Sequence, residues 1–186
     1  MLKDDIQKFK IFELIFPMEK KMSLKEIIPN GLTLVNIVCG FVSIIMVFHG
    51  YSTIAAILIL VAVVLDFLDG FSARLLKAES KIGVQLDSLA DLVSFGIAPA
   101  ILMYSLFINN ILLVIAILFV LAGAYRLARF NTLKNKVKDF VGMPITVNGV
   151  LFPVLYFFNV NFYMVAVVFI ISMFLMISRI RFKKVI

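Results

Sequence analysis

The stretch LDFLDGFSARLLKAESKIGVQLDSLAD, Leu65 to Asp91, places four aspartates, Asp66, Asp69, Asp87 and Asp91, in a chain so apolar that each carboxylate needs a reason. Of 186 residues, 63% are hydrophobic and only 16% charged, against roughly a quarter charged in soluble proteins. Mean hydropathy is +1.10. This balance excludes an ordinary soluble domain and indicates an all-α, polytopic membrane protein forming a single domain over 1–186. Several apolar runs come near the ~20 residues a helix needs to cross the hydrocarbon. They predict six transmembrane helices, at about 31–49, 52–73, 82–107, 110–129, 144–159 and 161–179.

Charge placement orients these spans. All 18 Lys and Arg fall before the first span, between spans two and three, from Arg126 to Lys138, or from Arg179 onward. The alternate connections FHGYST, LFINNI and FNVNF carry none. Basic loops stay on the cytoplasmic side, so both termini are expected there, in the cytoplasmic membrane of a prokaryote, with the net charge of +7 forming a one-sided basic surface. Over residues 1–28, Ile6, Phe9, Phe12 and Phe16 recur about once per helical turn opposite Asp5, Lys8 and Glu13, the pattern of an amphipathic helix lying in the interface. Pro29 and Gly31 read as a turn into the six-helix bundle of 29–186. No cleavable signal peptide is expected, and the single Cys39 reads as a small core residue.

Asp66 and Asp69 are three apart near the cytoplasmic end of span two. Asp87 and Asp91 are four apart near the start of span three, so each pair projects from one helix face. A short connection makes the two helices antiparallel neighbours and lets the four carboxylates converge. Facing lipid, each would cost up to about 2.5–3.5 kcal/mol, so they are expected to line a polar cavity beside something cationic. Arg74 and Lys77 in a structural ion-pair cluster offer one answer. Two divalent ions, Mg2+ or Mn2+, offer a better one, because hard oxygen donors without nearby His or Cys suit those metals, and paired ions serve displacement at phosphorus. Gly70 and Gly83 fit either the approach of a phosphate to the backbone or tight helix packing.

The pattern Asp66-x-x-Asp69-Gly70-x-x-Ala73-Arg74, then Gly83, Asp87 and Asp91 at gaps of eight, three and three residues, resembles the signature of the CDP-alcohol phosphotransferases at every signature position. The resemblance implies transfer of the phosphatidyl group of a CDP-lipid to an alcohol with release of CMP, and a homodimeric assembly. It implies that Asp66, Asp69 and Asp87 hold the two metal ions, with Asp91 also at the metal and acting as general base. Gly70, Ala73 and Arg74 would line the CDP site with Asp66, and Ser80 would meet the diphosphate. Asn30, Thr33 and Asn36 look like the family's nucleotide-side entry to span one, although polar residues there also serve as caps or interhelical hydrogen bonds.

The alcohol must be read elsewhere. LVSFGIAPA after Asp91 and AYRLARFNTLK around Arg126 are similar to segments of the branch that uses L-serine. A serine carboxylate needs a cation, which Arg126 or Arg129 would supply in bidentate geometry, unless both simply mark the membrane boundary. Glycerol 3-phosphate and inositol phosphate are the other acceptors to weigh. In a different class, a cation channel or transporter would continue its carboxylates across the membrane, and spans one, four, five and six carry none. Lipid-facing Leu, Ile, Val and Phe suit CDP-diacylglycerol and CDP-archaeol equally.

Overall fold

A computed structural model describes residues 24–78, 80–133, 140–178 and 181–182. Of the interfacial helix and entry turn expected over 1–28, residues 1–23 lie outside them. The described part is helical throughout, apart from one two-residue strand pair. In chain order it contains α1 (Leu24–Phe48), α2 (Ser52–Leu76), α3 (Lys81–Asp91), a π-helical turn (Leu92–Ile97), α4 (Ala98–Leu106), α5 (Asn110–Leu133), β1 (Phe140–Val141), α6 (Thr146–Phe157), α7 (Phe162–Ile177) and β2 (Arg181–Phe182). Four continuous helical stretches are long and apolar enough to cross a membrane: Lys25–Phe48, Ser52–Leu76, Lys81–Leu106 and Asn110–Thr132. Thr146–Phe157 and Phe162–Ile177 are apolar but shorter.

α1 lies along α2 and also packs against α3. Helices in a bilayer gain little from burying apolar surface against one another, so close approach depends on small residues and interhelical hydrogen bonds. On α2, Ala55, Ile59 and Ala62 recur on one fully buried face, and the Ser43 hydroxyl donates to the Ala55 carbonyl at 3.0 Å. Phe119, Phe152 and Phe169 bring α5, α6 and α7 together, with ring centroids 4.4–5.3 Å apart.

Pro29 does not form the expected turn. The helix begins at Leu24 and runs straight through it. Proline in the second turn forfeits only one backbone bond there, and α1 has packing partners along both α2 and α3 to hold it helical. α2 and α3 are joined by a short connection, yet their backbones stand apart and α1 packs against each. Two caps set this opening. Lys77 adopts left-handed φ 51 and closes α2 with its N–H on the Arg74 carbonyl, and Ser80 Oγ accepts from Gly83 N at 3.0 Å to start α3. The gap between the two helices is where their acidic faces meet.

The third span changes phase just after Asp91. In the π-helical turn each backbone bond spans one residue more than in an α-helix, so the helix face rotates. Ser94, Phe95 and Gly96 are buried there, and the Ser94 hydroxyl donates to the Asn36 carbonyl at 3.1 Å. Above the turn the span continues as α4, with Ala98, Leu102 and Met103 buried in the apolar core.

The strand pair was not foreseen in the sequence. β1 and β2 run antiparallel, Phe140 opposite Phe182 and Val141 opposite Arg181. They fasten the segment leading into α6 to the end of the chain beyond α7.

Candidate active site

Asp66 and Asp69 from α2 and Asp87 from α3 each bring a carboxylate oxygen within 4.8 Å of the others. Asp91 closes the row beside Asp66, with Asp87 and Arg126 in electrostatic range. Asp91 is 7% exposed, and its Oδ1 has no hydrogen-bond partner among the described residues. Thr33 Oγ1 lies 2.7 Å from Asp69 Oδ2 and 3.0 Å from the Pro29 carbonyl. Its single proton goes to the shorter, charged contact.

The carboxylates separate two cavities. One, of about 190 Å³, is lined by Pro29, Asn30 and Thr33 of α1, by Ala73, Ala78 and Ser80, and by Gly83 and Val84 of α3. The other, of about 310 Å³, is lined by Asp66, Ser88, Asp91, Arg126, Phe130 and Thr146, among others. Asp69, Gly70, Arg74 and Asp87 line both. A ligand in either cavity therefore meets the same carboxylates and the same arginine.

The two glycines of the signature part company here. A Cβ on Gly83 would fall 2.9 Å from Asn30 Oδ1 and 3.0 Å from Ser80 Oγ, so that position is occupied by packing of α1 and by the cap of α3. A Cβ on Gly70 would meet only Arg74 Nη1, at 3.8 Å. The space over Gly70 is open cavity.

Most of the residues expected at a nucleotide, Asn30, Thr33, Gly70, Ala73, Arg74 and Ser80, line the smaller cavity. Asn36 does not. One turn deeper on α1, it is fully buried and neither end of its amide finds a partner among the described residues. Asp66, expected on the nucleotide side, lines only the larger cavity.

The two arginines of α5 also diverge. Arg126 is 5% exposed, reaches the larger cavity, lies 5.6 Å from the centre of the Phe130 ring, and keeps a buried Nε without a hydrogen-bond partner among the described residues. Arg129, also expected at the acceptor alcohol, does not line that cavity. Its guanidinium donates from Nη1 to the Ile177 carbonyl at 2.9 Å and from Nη2 to the Ser178 carbonyl at 3.0 Å. Unpaired carbonyls at the end of α7 provide negative partial charge that a guanidinium satisfies.

Sequence reasoning did not assign Phe130, Pro144 and Thr146 to the site. Phe130 stood within the similar segment AYRLARFNTLK, whereas Pro144 and Thr146 arrive by a fold-back that no local pattern announces.

A part-buried row of hard oxygen donors, without sulfur or imidazole among the described residues, set between a cavity with a helix N-cap and an arginine and a cavity with a second arginine, suits a hard divalent cation and phosphoryl chemistry. The sequence model of the CDP-alcohol phosphatidyltransferases matches residues 26–178. The chain belongs to this family of membrane transferases. It is 39% identical over 87% of its length to a CDP-diacylglycerol–serine O-phosphatidyltransferase of Methanocaldococcus jannaschii, covering 77% of that protein. A Bacillus subtilis protein of the same name is 36% identical over 83% of this chain and 89% of its own. An archaetidylserine synthase of Methanothermobacter thermautotrophicus is 37% identical over 90% of this chain and 74% of its own.

Proposed function

We propose that the enzyme transfers the phosphatidyl group of a CDP-lipid to the hydroxyl of L-serine and releases CMP. The observation that carries this reading is the position of Asp69, Gly70, Arg74 and Asp87 on the walls of both cavities. A phosphoryl group passing between two substrates must sit where both can reach it. The smaller cavity takes the CDP moiety. Open space over Gly70 admits the diphosphate, Arg74 neutralises it, and Asn30, Thr33, Ala73 and Ser80 frame the nucleotide.

Serine enters the larger cavity. Arg126, already desolvated and with Nε unpartnered among the described residues, receives its carboxylate. Asp91, on this side and with a free Oδ1, accepts the hydroxyl proton as oxygen attacks phosphorus. CMP departs into the smaller cavity, and a phosphoryl group approached from one cavity and left through the other suits in-line displacement. Asp66, Asp69 and Asp87 would hold the divalent ions, and the Thr33 hydroxyl fixes the Asp69 carboxylate among them. When bound, such ions draw charge from the phosphoryl oxygens and the leaving group.

The same reading places the chain as one domain of six transmembrane helices, α6 and α7 included, with both termini and the site on the cytoplasmic side and two copies associating as a homodimer. The lack of any Lys or Arg in the connections FHGYST, LFINNI and FNVNF supports that orientation.

The test is an alcohol panel. Purified protein, CDP-diacylglycerol or CDP-archaeol and Mg2+ or Mn2+ are incubated with serine, glycerol 3-phosphate or inositol phosphate, and CMP release is followed. Serine should support the fastest release. Faster release with either phosphorylated alcohol overturns the serine assignment, and metal-independent release overturns the site.

A further inference from the structure

Arg129 stands three residues from Arg126 on α5 yet is committed to backbone carbonyls at the end of α7, and the surroundings of those carbonyls explain why this matters. Gly142 has φ +81, a conformation side chains rarely adopt, and a Cβ there would strike the Met176 carbonyl oxygen and press within 3.2 Å of both Arg129 Nη2 and the Ser178 carbonyl oxygen. Next to it, Met143 N donates to the Leu175 carbonyl at 3.1 Å. The end of α7 is thus held by Arg129 from one side and by the segment through Gly142 and Met143 from the other. That segment leads directly to Pro144 and Thr146, which line the larger cavity together with Asp91 and Arg126.

We propose that Arg129 is a positioning residue for the acceptor alcohol: by clamping the end of α7 it fixes the segment from Gly142 that carries the Pro144 and Thr146 wall of the cavity at a set distance from the α5 face that carries Arg126. The inference rests on the larger cavity being the acceptor side. Arg129 reaches the alcohol through the wall and touches neither substrate. Gly142, which carries no charge and does not line the larger cavity, belongs to the same device.

The proposal gives two unlike residues one phenotype. Arg129→Gln and Gly142→Ala should each raise KM for the alcohol by about tenfold, the order expected from losing charge-assisted hydrogen bonds, with KM for CDP-lipid and metal dependence unchanged. Because both break one clamp, the double variant should be little worse than either single variant. Amide hydrogen exchange adds a readout that a direct substrate contact would not move: Arg129→Gln should speed exchange in the peptide spanning 141–147, where Met143 N loses its fixed acceptor. Unchanged exchange there, multiplying effects in the double variant, or an equal rise in KM for both substrates each overturns the proposal. If Gly142→Ala does not fold, exchange and the KM split of Arg129→Gln decide alone. Should wild-type enzyme prefer another alcohol, the serine assignment falls while the coupling is measured with that alcohol.

Discussion

The cleft bounded by Asn30, Ala73 and Ser80 and the cavity bounded by Asp91, Arg126 and Thr146 meet at the same carboxylates but are built differently. Every wall of the first comes from residues 29–87, from α1, the end of α2 and the beginning of α3. The second borrows from α5 and from the segment leading into α6, residues 126–146. The nucleotide side is therefore a local construction, set by two helix caps and a tightly packed α1. The acceptor side depends on how distant segments are brought back to it.

The strongest way to break this division is to attack what both sides share. Asp66→Asn, Asp69→Asn or Asp87→Asn should lower turnover by roughly 10³-fold or more, since metal-borne charge stabilisation is worth several kcal/mol and each 1.36 kcal/mol is tenfold. CMP release across a metal titration measures it. Partial recovery at high metal is expected, and normal activity at low metal in any of the three removes that residue from the site.

Asp91→Asn tests whether the sides are chemically distinct. Loss of a general base should reduce turnover by about 10²- to 10⁴-fold while leaving affinity for CDP-lipid near normal, because the nucleotide cleft does not include Asp91. Calorimetric titration of the nucleotide lipid beside the CMP assay separates the two. Lost nucleotide binding would make Asp91 part of the shared floor.

The glycines sharpen the comparison further. Gly70→Ala should raise KM for CDP-lipid by about tenfold, through a methyl placed in open cavity, while thermal stability holds or rises by roughly 0.5–1 kcal/mol, since alanine favours helix over glycine by about that amount. Gly83→Ala should do the reverse. Its methyl meets Asn30 and Ser80, and stability should fall by about 1 kcal/mol from overpacking. Melting curves and KM values on the two variants check the pair.

The smallest effect belongs to Thr33→Val. Removing the proton donated to Asp69 should raise the metal concentration for half-maximal activity by only about three- to tenfold, the order of one hydrogen bond to a charged group. An effect on serine KM instead would move Thr33 to the other side.

These differences explain what could be read from the sequence. Asp66, Asp69, Gly70, Ala73, Arg74, Gly83, Asp87 and Asp91 stand within one run of 26 residues on two helices, so helical periodicity alone gathers each aspartate pair on a face. The residues that α5 and the segment leading into α6 add to the acceptor side gave no such signal. Arg126 and Arg129 looked equivalent because three-residue spacing puts them near one another on α5, and only the position of the α7 carbonyls separates their roles. Asn36 shares a face with Thr33 but lies a turn deeper, below the cleft. Pro29 looked like a break because proline forfeits a backbone bond, a cost that neighbouring helices outweigh. The strand pair escaped notice because two residues on each side are too few for any alternation.

The π-helical turn makes the third span into two rods joined by a phase shifter. An α-helix advances about 100° per residue, and the turn at Leu92–Ile97 absorbs roughly one residue's worth of rotation between Asp91 and the apolar face of Ala98 and Leu102. A one-residue deletion within 92–97 would remove no carboxylate, arginine or glycine of the signature. With α4 locked in the core, the winding error would be passed back into α3, and Asp87 and Asp91 would swing by about a quarter of a turn away from α2. Such a lesion would be silent in composition and in motif, yet it would take apart the site while the protein still inserted and folded.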